Sequence, residues 1–176
     1  MNWFALPALV REKVRGEIDD WLTLQILDVA LGKPVELRWI STERAAGNGQ
    51  LNILKWLHAN GAYWDHWTCT SAAENGDLEM LKWARANGCP WDRRTCESAA
   101  KNGHLRVLKW LHRNRCPWDR DTCTSAARFG QLHVLKWLYE RGCPWDDRVC
   151  WGATYNNHLH VLKWLERDGV CPCCGS

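Results

Sequence analysis

No stretch of this 176-residue chain approaches the ~18 consecutive apolar residues that a membrane span requires, so no membrane partner is expected. The opening MNWFALPALVREKV lacks the basic-then-apolar order of a secretory leader. The formal net charge of +3 is too small to announce a nucleic-acid binder. No glycine-rich loop follows a strand, and nothing reads as a strand long enough for a sheet. The serines Ser71, Ser98 and Ser125 fill one repeated helix position, and the histidines are scattered without a carboxylate at a fixed offset. No catalytic constellation survives, so the chain is expected not to be an enzyme and to need no cofactor. Ten cysteines without a leader point to a reducing compartment, free thiols and a cytoplasmic location.

What the chain has is a period. Trp64, Trp91, Trp118 and Trp145 are spaced by 27, and so are Trp56, Trp83, Trp110, Trp137 and Trp164, each directly after Leu-Lys. Leu51, Leu78, Leu105, Leu132 and Leu159 keep the same interval. A repeat this regular sets the architecture class more firmly than local propensity does.

In the unit from Trp91 to Pro117, Thr95 stands before a helix-compatible stretch and can cap it. TCESAAKN then places Cys96, Ala99 and Ala100 on one helical face, where small residues admit a close neighbour. Gly103 suits a left-handed turn, and the matching positions are Gly49, Gly76, Gly130 and Asn157. HLRVLKWLHRN carries a broad apolar stripe and reads as a second helix. Arg115 ends it where Gly61, Gly88, Gly142 and Gly169 end the others, and Pro117 forbids continuation. One such hairpin cannot bury its own apolar face, so the units must stack around a continuous core. The expected fold is an all-α solenoid of helix-turn-helix units.

The stretch RTCESAAKNGHLRVLKWLHRN resembles the ankyrin repeat, a turn and two helices carrying T-P-L-H-x-A over about 33 residues. Counting back from Ala99-Ala100 puts Thr95 at the family's Pro, Cys96 at its first Leu and Glu97 at its His. The resemblance covers five units, about 37–63, 64–90, 91–117, 118–144 and 145–171. About six residues are missing per unit against the family's length, where relatives form a β-hairpin finger, so the fingers are expected to be shortened or absent. Short Trp- and Cys-rich units are similar to ankyrin-like proteins of large DNA viruses and protists, which for a viral chain implies the host cytoplasm. Residues 1–36 are expected to form a helical cap with a decayed half repeat. Their Leu-Pro start also resembles an F-box, which implies the alternative of a substrate adaptor for a ubiquitin ligase. Residues 172–176 form a Cys-rich tail.

Three features have a bland and a functional reading. Cys89/Cys96, Cys116/Cys123 and Cys143/Cys150 share a seven-residue spacing, but structural zinc favours closer pairs. Cys69, Cys96, Cys123 and Cys150 fall on the apolar face and are expected to be buried thiols rather than metal ligands or disulfides. Only the tail Cys171, Cys173 and Cys174 resembles a metal cluster, and it lacks a fourth ligand. The tryptophans at period 27 are expected in the core. Lys55, Lys82, Lys109, Lys136 and Lys163 form a ladder expected to be solvated charge, and Asp65, Asp92, Asp119 and Asp146 are expected to cap helices or pair locally.

The expected function is a non-enzymatic protein-binding scaffold. The resemblance places its site on a concave face lined by the first helices. The variable residues there are Trp67, Arg93, Arg94, Glu97, Lys101, Arg120, Thr124, Arg128, Arg148, Trp151 and Tyr155, with His66, Thr70, Glu74, Asp121 and Asp147 beside them. Arginine and aromatic residues are the usual interface anchors. The expected partner is a protein carrying an acidic patch beside an apolar feature, bound by a monomer. Nucleic acid along the basic face or the lysine ladder is the alternative, opposed by the modest charge and by the interspersed Glu97, Asp121 and Asp147.

Overall fold

The computed structural model describes residues 41–170, and every regular element among them is an α-helix. The expected cap at 1–36 and the tail at 172–176 lie outside the described residues, as do Cys171, Cys173 and Cys174. The chain divides into two compact units, one ending at Trp64 and the other beginning at Asp65.

In the first unit, α1 (Thr42–Gly47) is capped by Ser41, whose side chain accepts from the Arg44 N–H at 3.0 Å. It packs on α2 (Leu51–Ala59), which buries Ile53, Leu54 and Leu57. The Thr42 hydroxyl donates to the Tyr63 carbonyl at 3.3 Å, and His58 stacks on Trp64 with ring centroids 4.1 Å apart.

The second unit holds four helix pairs: α3 (His66–Glu74) with α4 (Leu78–Ala86), α5 (Arg93–Lys101) with α6 (Leu105–Arg113), α7 (Arg120–Arg128) with α8 (Leu132–Glu140), and α9 (Arg148–Tyr155) with α10 (Leu159–Arg167). The links between pairs, such as 87–92, are short, and no strand occurs among the described residues, so no β-hairpin finger projects from them. No helix among them is long and apolar enough to cross a membrane.

The first helices do not begin at threonine. Asp65, Asp92 and Asp119 sit in extended backbone and accept from the N–H two residues on, at 2.9, 2.9 and 3.0 Å. Thr95 therefore lies inside α5 and is fully buried, its hydroxyl 3.3 Å from that of Thr70. Both residue types cap well, and the aspartate comes first along the chain. Asp92→Ala is expected to cost ~1 kcal/mol, the usual loss for a side-chain cap, read as a shift in the urea midpoint.

Successive first helices pack closely, α3 on α5, α5 on α7 and α7 on α9. Paired alanines make this possible: Ala72, Ala73, Ala99, Ala100, Ala126 and Ala127 are all fully buried. On the second helices Leu81, Leu108, Leu135 and Leu165 complete the core. The left-handed positions fall where glycine spacing places them, and Arg115 (φ 59°) and Asn157 (φ 56°) adopt the same conformation. Gly103 has a second reason to lack a side chain. A Cβ there would lie 2.5 Å from Gln131 Oε1, whose Nε2 donates to the Lys101 carbonyl of the preceding pair at 3.2 Å.

Histidines occupy equivalent stitches. His104 and His158 reach the carbonyls of Glu74 and Arg128, both at 2.9 Å, and His133 and His160 reach those of Gly103 and Gly130 at 3.0 and 2.8 Å. A carbonyl only accepts, so each Nε2 carries the proton. These surface histidines thus join α6, α8 and α10 each to the pair before it.

The repeated tryptophans are shallower than their periodicity implies. Trp137 and Trp164 are 9% and 6% exposed, but Trp83, Trp110 and the link residues Trp91, Trp118 and Trp145 are half-buried. They form a rim along the second helices. Trp91 meets Trp110 edge-on at 5.6 Å, Trp118 meets Trp137 at 5.8 Å, and Arg85 or His112 covers the outer ring face at 4.3 and 4.1 Å. The core itself is mainly leucine, alanine, cysteine and valine.

The seven cysteines among the described residues are buried and free. Their neighbours are not the seven-residue pairs. Cys89, Cys116 and Cys143 donate to the carbonyls of Asp65, Asp92 and Asp119 at 3.4, 3.4 and 3.5 Å, and each lies against Cys69, Cys96 or Cys123. Thiol–thiol hydrogen bonding, reinforced by burial, pushes the Cys69, Cys96 and Cys123 thiols far up from their ordinary value. Such thiols stay protonated and unreactive. They are expected to react slowly with a thiol reagent in the folded protein and rapidly in denaturant. Stability should ignore chelators; stoichiometric zinc whose removal unfolds the chain would contradict this.

Candidate functional site

The variable positions fall on successive first helices of the second unit, and packing of those helices brings several of them together. On α3, Trp67 is 40% exposed. The Arg94 guanidinium lies 5.0 Å from the centre of its ring and 3.2 Å from His66 Nε2. This cluster joins α3 to α5 without a carboxylate on Arg94. His66 in turn stands 3.8 Å from Asp92.

The remaining arginines are mostly matched by acids of the next pair. Arg93 pairs with Asp119 at 3.3 Å and Arg120 with Asp146 at 3.4 Å. Arg148 pairs with Asp121 at 2.9 Å and with Asp146, in the link just before its helix, at 3.1 Å. The hydrogen bond from Arg148 holds the Asp146 carboxyl below the usual carboxylate range, with smaller help from Arg120, and the same contact raises Arg148. These groups remain charged at neutral pH, but such solvent-exposed pairs add little to stability. Repulsion among these arginines is thus offset within the face itself.

Glu97 accepts from the Ser125 hydroxyl at 2.9 Å, and Lys101 pairs with Glu74 at 3.7 Å. Thr124 donates to the Arg120 carbonyl of its own helix at 2.9 Å, which occupies its hydroxyl. Thr70 does the same with His66 at 2.8 Å and is buried, so it offers nothing to a partner. Arg128 is exposed and has no ion-pair partner among the described residues; its stem lies against Gly152 of α9.

The last first helix carries the two most exposed large apolar side chains among the described residues. Trp151 is 70% and Tyr155 86% exposed, and neither ring has an aromatic partner among the described residues. Phe129, at the C-terminal end of α7, is also 44% exposed, with Lys101 5.1 Å from its ring centre, and was not singled out from sequence. A signal existed. The helix-ending slot reads Asn48, Asn75, Asn102, Phe129, Asn156, and the one aromatic breaks the series.

Among the described residues no group of three or more His, Cys, Asp or Glu is arranged to hold a metal ion. The arrangement offers exposed rings, self-matched ion pairs and two arginines, Arg94 and Arg128, without a carboxylate partner among the described residues.

Residues 69–112, from within α3 to within α6, match the family described as ankyrin repeats in many copies. No curated protein matches the chain.

Proposed function

We propose that this chain, which carries ankyrin repeats, is a non-enzymatic scaffold that binds a protein partner on its first-helix face. Ankyrin repeats generally mediate protein–protein interaction, and the repeated positions here are accounted for by the stack. The observation that carries the reading is the exposure of Trp151 and Tyr155 at slots that hold Thr124 and Arg128 one repeat earlier. A stack that needed only stability has no use for two unpartnered rings there. Exposed aromatic and arginine residues are the typical anchors of interfaces.

The partner presents an apolar feature to Trp151, Tyr155 and Phe129. It presents acidic groups to Arg94 and Arg128. Arg93, Arg120 and Arg148 tune orientation and association rate, since their charge is already matched. Trp67, Glu97, Lys101 and Thr124 complete the surface.

Affinity purification from the native cell tests the class of function. The full chain as bait should recover a protein that survives nuclease treatment and is also retained by a chain lacking residues 1–36. Loss on nuclease treatment would favour nucleic acid. Loss on removing 1–36 would favour the adaptor reading.

A further inference from the structure

Among the described residues, positive charge without an ion-pair partner also gathers at the second helices. An open groove of about 580 Å³ between α6 and α8 is lined by Lys109, His112, Arg113, Trp137, Glu140 and Arg141. Lys109, Arg113 and Arg141 form no ion pair with any described residue, whereas Lys82, on α4, is tied to Glu79 at 2.8 Å. Glu140 is the one carboxylate in the lining. The walls are set. His112 lies flat on Trp118 at 4.1 Å and edge-on to Trp137 at 5.7 Å, so an aromatic surface runs beside the cations.

The neighbouring groove between α8 and α10, about 400 Å³, differs in charge. Its lining holds Lys136 against Glu140 and Asp168. Lys136 already lies 5.9 Å from the Trp164 ring centre, and Asp168 is bound by Arg167 at 2.8 Å. The aromatic rim is common to both grooves, so charge distinguishes them.

We propose that the α6–α8 groove is a second docking site, which takes a short extended peptide bearing separated carboxylates around an apolar side chain. Lys109 and Arg113 on one side and Arg141 on the other meet the acids, and the apolar side chain lies against the half-buried His112 ring. Glu140 interrupts the cations, which disfavours the unbroken charge of a nucleic-acid backbone and suits discrete carboxylates. The site is separate from the first-helix face, so either can fail without the other.

Selection of the full chain against a displayed random-peptide library tests this. Enriched peptides should carry Asp or Glu on both sides of an apolar residue. Arg113→Glu with Arg141→Glu should weaken them more than about tenfold, with steep loss on adding salt; Glu140→Gln should tighten them, and Trp151→Ala with Tyr155→Ala should leave them unchanged. If the charge-reversed chain melts early, Arg141→Gln with Lys109→Gln replaces it, and the loss should persist. Enrichment without acidic bias, affinity within about twofold in the arginine variants, or loss in the Trp151 variant instead would overturn the proposal. So would displacement of the peptides by oligothymidylate at lower concentration than the peptides themselves need.

Discussion

Leu108→Ala is expected to lower the unfolding free energy by about 2–5 kcal/mol, the range for truncating a leucine in a close-packed core. Leu108 sits at the middle of α6 with no exposed surface. Its helix packs on α5, and full burial leaves the truncated site little freedom to collapse. Transfer and cavity costs then add. Lys109→Ala, one residue along, should shift stability by no more than ~0.5 kcal/mol, because its side chain stands at the groove rim. Urea midpoints at equal slope compare the two. Equal shifts would show that the faces of α6 are assigned wrongly.

Trp151→Ala with Tyr155→Ala should weaken the partner recovered by affinity purification by more than ~2 kcal/mol, or about 30-fold. The melting temperature should hardly move, since both side chains are exposed and their helix is held by Val149, Cys150 and Ala153 on its other face. Binding calorimetry and a melting curve on the same preparation separate the two effects. A change in melting with affinity retained would make the rings structural.

The helix pairs, their turns and even the left-handed Arg115 and Asn157 were legible in the sequence, because one slot seen five times reports a backbone conformation. Depth was not. A period shows that Trp110 is required, not how far it is buried, and a large amphipathic ring fits a rim as well as a core. The sequence offered two caps for α5, because Asp92 and Thr95 both carry capping oxygens, and only the extended backbone at Asp92 decides for the aspartate. The cysteine neighbours were hidden because Cys69 meets Cys89 through the fold, while the eye pairs Cys89 with Cys96 along the chain. The charge of the candidate face was half legible. Arginines were visible, but their pairing with Asp119, Asp121 and Asp146 depends on how adjacent first helices align, which no single unit encodes.

Hydroxyl-radical footprinting of the protein alone and with its recovered partner tests the central proposal most directly. Free, the exposed rings of Trp151, Tyr155 and Phe129 should oxidise readily, and Trp67 more slowly beneath Arg94. In the complex all four should be protected while the half-buried Trp83 and Trp110 keep their rates. Unchanged oxidation of Trp151 and Tyr155 in a saturated complex would contradict a first-helix binding face.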